Sequence, residues 1–174
     1  MPGSSSVVIQ SPIGSMLGVE SGGRVVALSF IGGGWRAERG GRAGEMARAA
    51  APTPVLLRLR DWTRAYFAGE NPHPDIPIAQ SGTDFQREVW DIVCQIPYGE
   101  TRTYGDMARL LEMKRDRRMA AQAVGQAVGA NGVMLLVPCH RVLSAGGLGG
   151  YGSSGLKRKR FLLGLEKKSV GAKG

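Results

Sequence analysis

Thr103-Tyr104-Gly105-Asp106-Met107-Ala108-Arg109-Leu110-Leu111 is followed by Lys114-Arg115-Asp116-Arg117-Arg118 and then by the alanine-rich run Met119 to Ala130. This stretch decides the fold. Thr103 and Asp106 have the spacing of a capping box, in which a hydroxyl and a carboxylate each satisfy a backbone N–H left open at a helix start. Met107, Ala108, Leu110 and Leu111 continue that helix. Ala120, Ala121, Ala123, Val124, Ala127 and Val128 give a second, slim one. Two short helices joined by a tight basic turn make a helix-turn-helix pattern. The second helix offers few of the long polar groups that read base edges in a major groove. It reads either as a helix that enters a narrow groove and holds phosphates without sequence preference or as an ordinary packing helix.

Downstream, Asn131-Gly132 ends the second helix. Val133 to Val137 is an apolar run of strand length that delivers Pro138-Cys139-His140-Arg141-Val142. Ser144 to Gly155 is a glycine- and serine-rich loop holding one aromatic, Tyr151. Residues 156–166 read as a final helix with Leu156, Phe161, Leu162 and Leu165 inward and a basic run between them, and the tail from Lys167 is expected to fray.

Upstream, Pro97 to Glu100 is a turn. Before it, Phe85, Val89, Ile92 and Val93 mark a helical face that Thr83 or Asp84 can cap, with Cys94 at its end as a small buried hydrophobe. Residues 7–10, 16–20 and 24–30 read as short strands of an antiparallel sheet. Val55, Leu56, Leu59, Trp62 and Phe67 place a helix over 53–68. The Gly- and Arg-rich segment 31–44 reads as a loop, since the spacing of a phosphate-binding motif is absent. His73, between two prolines, reads as a bystander. The fold class is therefore α/β of the α+β kind. Residues 1–80 form a small antiparallel-sheet domain with a helix and a connecting segment, and 81–174 form a mostly helical domain carrying the helix-turn-helix.

The 174 residues are 43% hydrophobic, enough for a real core. The net charge is +9, and most of the excess lies after residue 80, which points to a polyanion partner contacted by the second half. No apolar run is long enough to span a membrane, and the N-terminus lacks the pattern of a secretory signal. Two cysteines cannot build a disulfide framework, so the chain reads as intracellular and reduced. With two histidines and no paired spacing they do not read as a zinc site.

One pair of residues suggests covalent chemistry. Cys139 followed by His140 supplies a thiol and a base, and thiolate is the reactive form. Neighbours on an extended chain point to opposite faces, so the pair would need a bridging water or a local twist. An inert buried cysteine beside a surface histidine stays open on spacing alone. A protease-like pair would draw its histidine from elsewhere in the fold.

Val137-Pro138-Cys139-His140-Arg141-Val142 resembles the active-site signature of the O6-alkylguanine-DNA alkyltransferases. Pro97 to Gly105, Ala123-Val124-Gly125, Asn131 and Gly155-Leu156-Lys157-Arg158-Lys159 fall where that family places similar residues. The resemblance is strong over 80–166 and weak before it.

It implies a suicide enzyme that moves an alkyl group from O6 of a flipped guanine, or O4 of thymine, in double-stranded DNA onto Cys139. In that scheme His140 deprotonates Cys139 through a water, Glu166 orients His140, and Asn131 holds the water and nearby backbone. Tyr104 donates toward the departing oxygen. Tyr151, Ser153, Ser154, Val142 and Met134 would bind the base. Thr103, Ala121, Gln122, Ala123, Gly125, Arg115, Arg117 and Arg118 would bind DNA.

The family usually has an arginine at the position of Gln122, so weaker base extrusion is expected here. The loop from Tyr151 to Leu156 is one residue longer than in many members, which leaves Ser153 and Ser154 as alternatives. Some members hold zinc in the N-terminal half. That half has no cysteine here, so none is expected, and the reaction needs no metal or organic cofactor. The expected state is a monomer able to self-associate on DNA, in the cytoplasm or, in a eukaryote, the nucleus. The competing readings are a non-catalytic sensor of alkylated DNA, in which the cysteine is replaced, and a helix-turn-helix regulator, which would need base-reading side chains.

Overall fold

The computed structural model describes residues 4–32, 52–152 and 155–172. Most of the 31–44 segment, together with Ser153 and Ser154, lies outside them. The chain divides into two compact units, 1–81 with 132–134, and 82–131 with 135–174.

The first unit is a three-stranded antiparallel sheet in the order β1 (Ser5–Ile9), β2 (Met16–Ser21), β3 (Arg24–Phe30). Gly22 and Gly23 link β2 to β3, both with positive φ, as a two-residue hairpin turn of matching twist requires. Helix α1 (Pro54–Phe67) starts on a proline, which suits the first helical position. It buries Val55, Leu56, Leu59 and Tyr66. A Cβ on Gly18 of β2 would lie 2.7 Å from Leu59 Cδ2, so glycine is what lets α1 approach the sheet this closely. The free edge of β3 is covered twice. Val25 bridges Ile78 and Leu28 bridges Val133, with Leu28 donating to the Gly132 carbonyl at 2.9 Å and accepting from Met134 N–H at 2.8 Å.

That pairing corrects the expected strand over 133–137. Val133 and Met134 extend the sheet, but Leu135 adopts φ +68. A left-handed residue breaks the extended run and turns the chain away.

The second unit contains α2 (Asp84–Cys94), β4 (Arg102–Thr103), α3 (Tyr104–Arg115), α4 (Ala121–Gly129), a 3-10 turn (Cys139–Arg141), β5 (Val142–Leu143) and α5 (Leu156–Gly171). Both α2 and α3 begin with complete capping boxes, Thr83 with Gln86 and Thr103 with Asp106. Helices α3 and α4 are the two arms of the helix-turn-helix. Strands β4 and β5 pair in parallel, Arg102 with Val142 and Thr103 with Leu143. This ladder brings the start of α3 beside the segment that follows Cys139.

Trp90 of α2 was not part of the face read from the sequence, yet it is buried and its Nε1–H donates to the Ala127 carbonyl of α4 at 2.8 Å. Trp90→Phe keeps an aromatic body but removes that bond and leaves a void. It is expected to cost about 1–3 kcal/mol, read as a lower urea midpoint at unchanged slope. An unchanged midpoint would show that Trp90 does not anchor α4.

Three further expectations are corrected. Cys94 is exposed, not buried, because Val93 and Ile96 take the interior positions beside it. Helix α5 does not fray at Lys167 but runs to Gly171. Leu156 and Phe161 are 48% and 39% exposed, and the inward row is instead Lys159, Leu162 and Glu166. That row keeps helical spacing, and its polar members are buried because they have partners.

Candidate active site

Cys139 opens the 3-10 turn after Pro138, and only 7% of its surface is exposed. The turn takes the place of the extended chain expected at these adjacent residues. On an extended chain Cys139 and His140 would diverge. In the turn, Arg141 N–H closes on the Pro138 carbonyl at 2.9 Å, and the backbone N–H groups of Cys139 and His140 bear on the sulfur. Burial raises the thiol pKa above its usual value, while Asn131, the Lys159 charge and those two N–H groups oppose the rise. The resting group is a protonated thiol with anion-stabilising donors already in place. Asn131 follows the C-cap of α4 and is buried, and its Nδ2 donates to the Val137 carbonyl at 2.9 Å, two residues before the cysteine.

His140 is fully buried, and its Nε2 lies 2.7 Å from Glu166 Oε1. Glu166 is also fully buried and is held from three sides. Arg141 donates from Nε to Oε2 at 2.9 Å and from Nη2 to Oε1 at 3.0 Å, and Gly99 N–H donates to Oε2 at 3.0 Å. Burial works against the carboxylate, but the bonds and charges from His140 and Arg141 prevail and lower its pKa to about 2. Burial lowers the His140 pKa despite its carboxylate partner. The imidazole is therefore neutral at pH 7. With Nε2–H directed at a permanent carboxylate, Nδ1 carries the basic lone pair.

Arg141 and Lys159 were missed in the sequence. Arg141 Nη1 donates to the Ile96 carbonyl at 2.7 Å, and its guanidinium lies 5.5 Å from the Tyr98 ring centroid. Lys159 Nζ donates to the carbonyls of Val142 at 2.6 Å and Gly150 at 3.0 Å. Burial lowers its pKa to about 8, against the pull of Cys139. Read in sequence, Lys159 is one cation in a surface-like basic run. Its place in the inward row with Leu162 and Glu166 was the available signal.

Two tyrosines flank the sulfur. Tyr104 is the first residue of α3. Its ring edge is 3.1 Å from where a Gly149 Cβ would stand and 3.8 Å from a Gly125 Cβ, so the two glycines seat the ring. Burial and then the nearby Cys139 raise its pKa. Tyr151 is buried, and the same two causes raise its pKa further. Val142 is buried just past the turn, and Met134 is buried in the first unit.

On the helix-turn-helix, Ala121 and Gln122 are exposed at the start of α4, Arg117 and Arg118 are exposed in the turn, and Ala123 and Gly125 are half-buried. The start of α4 has no side-chain cap, which leaves its N–H groups open to an anion. Thr103 is committed to capping α3. Arg115 is paired with Glu88 at 2.6 Å.

The charge state of this array fixes an acid dependence. His140 has a folded pKa below its ordinary 6.5, so below that pH the unfolded chain binds a proton that the folded chain refuses. Glu166 adds a second loss as pH falls from 4.5 toward about 2. Stability is full at neutral pH and falls in these two windows on acidification. Thermal melts from pH 8 to 4 are expected to decline below about 6.5, and a flat profile would contradict a buried neutral imidazole.

Residues 84–168 match the model of the 6-O-methylguanine DNA methyltransferase DNA-binding domain. The Mycobacterium bovis methylated-DNA–protein-cysteine methyltransferase is 50% identical over 108 residues, 62% of this chain and 62% of that protein. The Bacillus subtilis constitutive methylated-DNA–protein-cysteine methyltransferase is 40% identical over 66% of this chain and 68% of its own length. The crystal structure of Mycobacterium tuberculosis O6-methylguanine methyltransferase superposes with a TM-score of 0.79 at 38% identity, covering 96% of this chain and 94% of that one. Among the described residues no helix is long and apolar enough to cross a membrane.

Proposed function

The chain belongs to the O6-methylguanine DNA methyltransferase family, and from that membership we propose that it repairs duplex DNA by taking the alkyl group of O6-alkylguanine onto Cys139, once per protein molecule. The observation that carries this reading is the buried Cys139 beside a neutral His140 whose Nε2 is fixed 2.7 Å from Glu166.

The proton balance can be followed through the site. His140 Nδ1 takes the Cys139 proton through a bridging water, and Glu166 stabilises the imidazolium that forms, as in other triads. Asn131, Lys159 and the turn N–H groups hold the thiolate. Its sulfur attacks the alkyl carbon, the S–C bond forms, and the C–O6 bond breaks with its electron pair going to the base. The Tyr104 hydroxyl donates toward the departing oxygen. The proton lost by the thiol ends on the guanine, which leaves neutral. Tyr151 and Val142 border the base.

The product is a thioether, and thiolate is a poor leaving group. The exposed Cys94 offers no way back, since thiol exchange cleaves disulfides and not thioethers. Each molecule is therefore spent after one transfer, without a cofactor.

The base must leave the duplex to reach a sulfur this buried. Extrusion costs a few kcal/mol and is easiest for a weakly paired lesion. The uncapped start of α4 with Arg117 and Arg118 suits phosphate, and Gln122 can fill the gap beside the orphan base, without an arginine's charge. A Mycobacterium tuberculosis relative has been solved in complex with DNA. On this reading the protein acts where duplex DNA and a reducing environment coexist, the cytoplasm or, in a eukaryote, the nucleus.

The test is intact-mass and peptide mass spectrometry after incubation with duplex carrying O6-methylguanine. One methyl per chain, on Cys139, is expected. Tight binding without an adduct would overturn the reading in favour of a sensor.

A further inference from the structure

The turn between α3 and α4 is anchored at both ends by acidic side chains. On the entering side stands Arg115, the last residue of α3. Its guanidinium closes on Glu88 Oε2 at 2.6 Å and lies 5.4 Å from the Phe85 ring centroid. Phe85 and Glu88 are one turn apart on α2 and so share a face. On the leaving side, Met119 N–H donates to Glu112 Oε1 at 2.9 Å. Between them Asp116 takes a left-handed φ of +49, and Arg117 and Arg118 are exposed.

An exposed ion pair would mean little. Here the two side chains are only 29% and 23% exposed, and the arginine is also stacked on a ring. To reach a phosphate, Arg115 would have to abandon a half-buried carboxylate and the aromatic face together.

We propose that Arg115 is a positioning residue: through Glu88 and Phe85 it fixes the end of α3 on α2, and so sets how α4 and the exposed Arg117 and Arg118 meet DNA, without itself holding phosphate. Trp90 ties α4 to the same helix, which makes α2 the common support of both arms. The inference deepens the DNA-repair reading and rests on it.

The sign of one substitution tests it. Glu88→Gln raises the net charge by one. If Arg115 were a phosphate contact held back by Glu88, releasing it would tighten DNA binding. If it is a strut, binding weakens roughly three- to tenfold. The measurement is fluorescence anisotropy on duplex containing O6-methylguanine over a salt series. Arg115→Gln is expected to weaken binding without changing the slope of log K against log salt. Arg117→Gln and Arg118→Gln each lower the slope by about 0.9. The exchange Glu88→Arg with Arg115→Glu recovers wild-type affinity, and it carries the test if a single variant melts below the assay temperature.

The rate of Cys139 methylation by free O6-methylguanine base, without DNA, is expected to be unchanged in Glu88→Gln. Tighter binding by Glu88→Gln, or a slope loss near 0.9 in Arg115→Gln, overturns the proposal. A wild-type chain that accepts alkyl from neither duplex nor free base overturns the functional reading instead, and the proposal with it.

Discussion

Cys139→Ser is expected to lower single-turnover alkyl acceptance by a factor on the order of 10⁴ or more, with duplex affinity within about twofold of wild type. The substitution changes one atom at a buried position. A serine hydroxyl fits the same space and can still meet Asn131, so stability should move by no more than about 1 kcal/mol. What changes is the nucleophile. Burial raises the thiol pKa, and Asn131, Lys159 and two turn N–H groups at the sulfur oppose that rise. An alkoxide lies many pKa units further away, and the same donors cannot close that gap. Quenched-flow transfer of a labelled methyl group from duplex, with anisotropy on the same DNA, separates chemistry from binding. Transfer surviving in Cys139→Ser would place the acceptor elsewhere, and lost binding would show the thiol to be part of the DNA contact.

The same atoms show which features could be read from sequence. Local rules recovered the helix-turn-helix because its signals are local. Thr103 and Asp106 are three residues apart, and the capping box needs nothing beyond that turn. The antiparallel sheet was legible for the same reason, through short strands joined by short connections. What failed depends on distant partners. Leu135 belongs to a run with strand composition, and only the pairing of Val133 with Leu28 decides where extension stops. Lys159 reads as solvated until the carbonyls of Val142 and Gly150 are there to receive it. Arg141 stands inside the Val137–Val142 signature but gains a role only when Glu166, 25 positions away, folds over it.

The chemistry of Cys139 and His140 was suggested by residue type and made specific by resemblance, not by spacing. Adjacency on an extended chain argues against cooperation, and no periodicity announces the 3-10 turn that replaces that chain. The face of α5 misled for a related reason. Apolar residues were assigned inward, but a paired lysine and glutamate outcompete Leu156 and Phe161 for the interior because each satisfies groups that would otherwise be buried without partners.

Glu166→Gln is the second large effect, and it falls on stability as well as rate. The carboxylate accepts from both the buried Arg141 guanidinium and the His140 Nε2–H. Neutralising it leaves a cation with little water and no counter-charge, a change that typically costs about 3–5 kcal/mol. For a chain of this size that is a drop in melting temperature of roughly 6–20 °C. Transfer should also fall, because a neutral amide neither stabilises an imidazolium nor fixes which ring nitrogen carries the proton. Differential scanning calorimetry and the methyl-transfer assay read the two consequences separately.

The double variant Glu166→Leu with Arg141→Met decides what the array is for. Apolar replacement of both partners removes the charge imbalance, and buried ion pairs treated this way often lose nothing. Much of the melting temperature should return while transfer stays low. That outcome would show the buried charges to be kept for the orientation and basicity of His140, at a cost in stability that an apolar interior would not incur. Full transfer in the double variant would instead mean that His140 needs no carboxylate to act as base.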